Sequence, residues 1–162
     1  MRLIVISTDT IYPDEGAVLN SLFHEGMPWL HLRKPFASEA ALERLLQTID
    51  ASFYERIVLH EHFELLHTYP LKGIHLNKRN PDYTIERPAS LSRSCHSLEE
   101  VSASAQTVDY VFLSPLFDSI SKQGYKQAFT HEQLMQAKER QIIHDRVIGL
   151  GGLDETTIPQ IS

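Results

Sequence analysis

Asp109-Tyr-Val-Phe-Leu-Ser-Pro-Leu-Phe-Asp-Ser-Ile-Ser-Lys122 is the stretch whose reading decides the fold. Its first half, Tyr110 to Leu113, is a short apolar run of the kind that forms a strand buried on both faces. Ser114-Pro115 ends that strand, because proline has no N–H for a sheet ladder. Ser119, Ser121 and Lys122 follow, then Gln123-Gly124. Hydroxyls, an ammonium group and loop amides are what an anionic oxygen requires around it. A buried strand therefore hands over to a loop suited to phosphate, and the same handover recurs along the chain.

Leu3 to Ser7 reads as the first strand. A helix opens at Asp14 or Glu15, runs through Leu19, Leu22 and Phe23, and ends at Gly26. Trp29 to Leu32 is the second strand. Ser38 caps a helix whose buried stripe is Ala41, Leu42, Leu45, Leu46 and Ile49. Arg56 to Leu59 and Gly73 to Leu76 are strands three and four, with a short helix through Leu65 and Leu66 between them. Ala89 to Arg93 is strand five, and Ser97 to Glu100 matches a capping box. After strand six, Thr130 caps a helix through Leu134 and Ala137. Arg146 to Leu150 is strand seven, followed by Gly151-Gly152 and a helix start at Asp154-Glu155.

Seven strand-helix units imply a parallel sheet with helices outside. The pattern suits an α/β (β/α)8 TIM-type barrel, a single domain over residues 1–162, truncated after the seventh unit with the eighth strand and helix missing. The open edges of such a sheet lead to an expectation of homo-oligomer formation.

The chain has 162 residues, 42% of them hydrophobic and 22% charged, with a net charge of -6. That balance argues against a general nucleic-acid binder. No apolar run is long enough to span a membrane, and the N-terminus does not read as a signal peptide. Cys95 is the one cysteine, so no internal disulfide forms. A cytoplasmic protein is expected.

In a βα barrel, loops at the carboxyl ends of the strands build the active site. Those loops carry Arg33 and Lys34; His60, Glu61 and His62; Asn77 and Asn80; Ser94 and His96; Ser119, Ser121 and Lys122; and Gly151 with Gly152. Together they suit a phosphate-bearing ligand, with the glycine pair bringing bare amides and a helix start to the anion. Each also has a plainer reading. Arg33-Lys34 suits a solvated turn, Lys122 a rim position and Gly151-Gly152 a tight turn. Cys95 suits a small buried hydrophobe, and His60-His62 has a spacing that metal sites use.

These segments resemble one family, that of thiamine phosphate synthase and its TenI-type thiazole tautomerase relatives. Leu30-His31-Leu32-Arg33-Lys34 is similar to its Q-x-R-x-K segment, and Gly73-Ile74-His75-Leu76 to its G-V-H-L strand. Ser92 to Ser97 resembles G-x-S-x-H. Asp109 to Lys122 resembles D-Y-V-G-x-G-P-x-x-x-T-x-T-K, and Ile148 to Leu153 resembles A-I-G-G-I. The resemblance implies a (β/α)8 barrel that binds a thiazole phosphate through Arg33, Lys34, Ser94, Ser119, Ser121, Lys122, Gly151 and Gly152.

The chain departs from the family at the metal loop. The synthase couples an aminopyrimidine pyrophosphate to the thiazole phosphate with Mg2+, held by aspartates after strands three and four. The matching positions here are Glu61 and Asn80, and Lys78 stands where the family has glutamine. The tautomerase moves a proton on a thiazole carboxylate phosphate and needs no metal or other cofactor. Histidine as a residue type titrates near neutrality and so suits acid-base work, and His96 is at the matching position. The tautomerase reading leads, the synthase with Mg2+ at Glu61 and Asn80 follows, and a catalytically idle phosphate-binding paralogue is third. A metal-dependent hydrolase using His60 and His62 is the outsider.

Overall fold

Short apolar strands and amphipathic helices alternate along the chain, and a computed structural model describes residues 3–118 and 129–160. The chain divides into two compact units, Met1–Leu91 and Ser92–Ser162.

The first unit carries β1 (Val5–Ile6), α1 (Glu15–His24), β2 (Leu30–Leu32), α2 (Glu39–Thr48), β3 (Ile57–Leu59) and β4 (Gly73–Leu76). Three-ten turns at Ala51–Arg56 and Phe63–His67 flank β3. All these strands pair in parallel, with Val5 opposite Leu30, Leu30 opposite Ile57, and Val58 opposite Gly73. Because side chains alternate along a strand, this register sorts the sheet into two faces. Leu30, Leu32, Ile57, Leu59, Ile74 and Leu76 share an apolar face, and all are buried. His31, Val58, His60, Gly73 and His75 share the other.

α1 ends in a Schellman turn at Gly26. Met27 N–H donates to the Leu22 carbonyl at 2.9 Å and Gly26 N–H to the Phe23 carbonyl at 3.1 Å, which satisfies the last carbonyls. Ser38 Oγ accepts from Ala41 N–H at the start of α2, and Leu42, Leu45, Leu46 and Ile49 are buried along its stripe. The stacked rings of Phe23 and Phe53, 4.8 Å between centroids, tie α1 to the Ala51–Arg56 turn. That turn was not expected from the sequence.

The boundary between the units falls inside β5 (Ser90–Cys95), and the second unit goes on with α3 (Leu98–Ser104), β6 (Tyr110–Leu113), α4 (His131–Glu139) and β7 (Val147–Gly149). Ser92 pairs with Tyr110, and Val111 pairs with Val147, again in parallel. The strand runs two residues beyond its expected end, so Ser94 and Cys95 lie in β5 rather than in the loop after it. Ser92 and Ser94 alternate toward one face beside the large Tyr110 and Phe112, which hides the hydrophobic rhythm a sequence reader looks for.

The two helix starts of this unit differ. Thr130 and Gln133 make a full capping box on α4. At α3, Ser97 Oγ accepts from Glu100 N–H, but the Glu100 carboxylate reaches back to His96 N–H at 2.7 Å. After β7 the expected helix is instead a turn over residues 154–157 and a three-ten turn at Ile158–Gln160.

Strand order follows chain order from β1 to β7. Parallel strands in that order, joined by helices or three-ten turns except for the helix-free loop from β4 to β5, constitute a (β/α)8-type fold with seven strands among the described residues. No described helix is long and apolar enough to cross a membrane.

Candidate active site

Within the first unit, the carboxyl ends of β2, β3 and β4 carry Arg33, Lys34, Glu61 and Asn80. Ser7 fixes the chain at Arg33: its hydroxyl donates to the Arg33 carbonyl at 3.1 Å and accepts from Arg33 N–H at 2.9 Å. The Arg33 guanidinium is 4.0 Å from the Asp9 carboxylate.

Lys34 points elsewhere. Its ammonium donates to the Thr8 carbonyl at 2.7 Å, the Thr10 carbonyl at 2.8 Å and Glu15 Oε1 at 2.6 Å. The side chains of Lys34 and Glu15 are 0% and 2% exposed, so all three ammonium N–H groups are spent inside the protein. Lys34 thus ties the end of β2 to the β1–α1 loop and to the first turn of α1.

Glu61 is held on both oxygens. Oε2 accepts from Lys34 N–H at 2.8 Å, and Oε1 takes the Arg79 guanidinium at 2.6 Å. The Asn80 side-chain amide donates to the His60 carbonyl at 3.0 Å, and Asn77 Nδ2 donates to the same oxygen at 3.2 Å. Both asparagines therefore brace the β3 terminus.

Behind Arg33, the polar sheet face gathers three histidines. His31 Nδ1 lies 2.8 Å from His60 Nε2, and the His60 and His75 rings stack with centroids 4.3 Å apart. Burial holds His31 down to a pKa of about 3. His60 is also held well below its ordinary value, first by burial, then by His75, His31, Arg33 and Arg79. His62 leaves this group, since its Nε2–H donates to the Ala37 carbonyl at 2.7 Å. The sequence pairing of His60 with His62 is thus replaced by His60 with His31 and His75. His31, His75, Glu15 and Arg79 escaped the sequence reading; the alternation of His31 with Arg33 on one strand was the available signal.

In the second unit, His96 follows β5 and faces the end of β6. Its Nδ1 is 3.1 Å from the Ser114 carbonyl and 3.4 Å from Ser114 Oγ. A carbonyl can only accept, so this contact places the proton on Nδ1 and leaves the lone pair on Nε2. The ring is exposed and its backbone N–H is pinned by Glu100. Such an imidazole can take a proton from a bound molecule and return it. Ser94 precedes it in β5 and is partly exposed.

Gly151 and Gly152 have φ of 96° and 63°. Phe117 N–H donates to the Gly151 carbonyl at 3.1 Å, so the pair packs against the loop after β6. The amides just beyond it are capped from within: Asp154 Oδ1 accepts from Thr156 N–H at 2.8 Å and Thr157 N–H at 3.0 Å. The Thr156 hydroxyl, which donates to Asp154 Oδ1 at 2.6 Å, and then these two amides hold the Asp154 carboxyl below its ordinary value. The expected helix start that would present free amides is therefore replaced by a turn closed on its own carboxylate. Ser119, Ser121 and Lys122 lie outside the described residues.

Comparison with known proteins follows the same lines. A family model described as thiamine monophosphate synthase, of the TMP-TENI family, matches residues 3–162. A crystal structure of thiamine phosphate pyrophosphorylase from Bacteroides thetaiotaomicron is similar with 41% identity and a TM-score of 0.87, covering 99% of this chain and 77% of that one. Thiamine phosphate pyrophosphorylase from Pyrococcus furiosus shares the fold at 16% identity, with a TM-score of 0.76 over 99% of this chain and 79% of that one. No curated protein matches. With the family model spanning residues 3–162 and a 41% identical structure matched over 99% of this chain, the chain belongs to the thiamine monophosphate synthase/TenI family.

Proposed function

We propose that this chain is a thiazole tautomerase of the TenI type, binding a thiazole carboxylate phosphate and moving one of its protons through His96. The observation that carries this reading is the state of Glu61. A Mg2+ site needs hard oxygens with charge to spare. Glu61 already receives Arg79 and the Lys34 amide on its two oxygens, and Asn80 is turned to a backbone carbonyl. This donor set fits Mg2+ poorly, and tautomerisation asks for no metal.

The chemistry assigned to His96 is a proton relay. Nε2 accepts a proton from one carbon of the substrate, and the resulting imidazolium returns it at another, so the net charge is unchanged. The Ser114 carbonyl holds the ring orientation and stabilises the charged form while it lasts. Ser119, Ser121 and Lys122 are the proposed partners of the phosphate.

The second reading is thiamine phosphate synthase, favoured by the 41% identical structure described as a thiamine phosphate pyrophosphorylase. One pair of assays separates them. Isomerisation of the thiazole carboxylate phosphate in the presence of a chelator supports the tautomerase. Formation of thiamine phosphate only with Mg2+, and its loss in Glu61→Gln, would establish the synthase instead. Ligand affinity with neither activity would mark an idle phosphate-binding paralogue.

A further inference from the structure

We propose that His31, His60 and His75 form a binding site for a divalent transition metal of the imidazole-preferring class, with zinc as the first candidate. This goes beyond the thiazole reading and does not rest on it. Mg2+ prefers oxygen, so three imidazoles are not a substitute for the carboxylate pair of the synthase.

Three adjacent parallel strands build the site. His31 lies in β2, His60 directly follows β3, and His75 lies in β4. The register puts all three on the polar face of the sheet. One ligand nitrogen from each lies within 4.8 Å of the other two. A tetrahedral ion with bonds of about 2.0–2.1 Å needs its ligand atoms roughly 3.3 Å apart. The His31–His60 pair, at 2.8 Å, would open slightly while His75 closes in.

The chemistry of the donors is favourable. A metal takes the neutral imidazole, which is the form that burial favours at His31 and His60. Three histidines that are 0%, 4% and 0% exposed are also an unusual content for a sheet face that leucine or valine could fill. A shared ion accounts for all three together. Three neutral ligands leave the ion its full double charge, and Arg33 and Arg79 add positive potential near His60. The fourth ligand is accordingly expected to be hydroxide or another anion, and the affinity moderate.

The test uses the full chain, stripped with a chelator and equilibrated with Co2+, both as the native protein and during refolding from urea. The expected result is one equivalent of Co2+ with the visible absorption of a tetrahedral nitrogen-bound ion, displaced by Zn2+. His31→Gln and His75→Gln should each weaken Zn2+ at least tenfold, whereas His67→Gln, at an exposed position, should not. If a variant does not fold, proton NMR of the Co2+ form gives the same information without substitution, as three shifted imidazole N–H resonances. Absence of the tetrahedral spectrum under both loading conditions would overturn the proposal. Binding unchanged in His31→Gln and His75→Gln would do the same, leaving the three rings as a hydrogen-bonded cluster.

Discussion

His31 Nδ1 sits 2.8 Å from His60 Nε2 with both rings almost wholly removed from solvent. Two imidazoles at that distance share one proton well and two badly. The acid limb of the stability curve follows. His31 is held at about 3, against an ordinary value of 6.5. Between those values the unfolded chain binds a proton that the native chain refuses, so falling pH favours unfolding. Above pH 6.5 both states are neutral and the contribution is constant. The slope is about 1.4 kcal/mol per pH unit for each such histidine, and His60 shifts in the same direction. Urea midpoints measured with a chelator present should be level from pH 8 to 7 and fall steeply below 6.5. A flat profile down to pH 5 would mean the cluster accepts protons in place.

Lys34 offers a second test. Lys34→Met removes the partner of a buried Glu15 and the donor to two loop carbonyls. Breaking one side of a buried pair costs about 3–5 kcal/mol. Adding Glu15→Gln should recover part of that loss, since no buried charge is then stranded. Urea unfolding measures both. Unchanged stability in Lys34→Met, coupled with lost phosphate affinity, would return Lys34 to the role of a ligand.

Two glycines with positive φ should respond differently to alanine. At Gly26 nothing lies within 4 Å of an added Cβ, so only the backbone penalty applies, about 1 kcal/mol. At Gly152 the Cβ would also meet the Asp118 carbonyl oxygen at 2.5 Å. Gly152→Ala is therefore expected to cost more than the roughly 1–2 kcal/mol of the backbone alone and to shift the loop after β6. Thermal unfolding of the two variants should rank them in that order; equal losses would show that the loop yields freely.

Much of the fold was legible because its signals are local. Ser38 and the spacing of Leu42, Leu45, Leu46 and Ile49 announce α2 within a dozen residues, and Gly26 marks the end of α1. The end of β5 was misplaced because its serines alternate with Leu91, Arg93 and Cys95 and mimic a loop. The turn after β7 was read as a helix because Asp154 is an equally good cap for a turn. The histidine cluster was legible only in part, through the alternation of His31 with Arg33 on one strand. His31 and His60 are 29 residues apart, and only strand register brings them together. Lys34 looked like a surface cation because its anion, Glu15, arrives from another element.

Metal-independent proton transfer through His96 is open to a direct assay. Isomerisation of the thiazole carboxylate phosphate is followed in a chelator for the unmodified chain and for His96→Asn, with ligand affinity measured alongside. Asparagine preserves size and some hydrogen bonding to Ser114 but cannot shuttle a proton. The unmodified chain should isomerise the substrate, and the variant should be slower by roughly two to four orders of magnitude with nearly equal affinity. Full activity in His96→Asn, or no isomerisation beside Mg2+-dependent formation of thiamine phosphate, would contradict that role of His96.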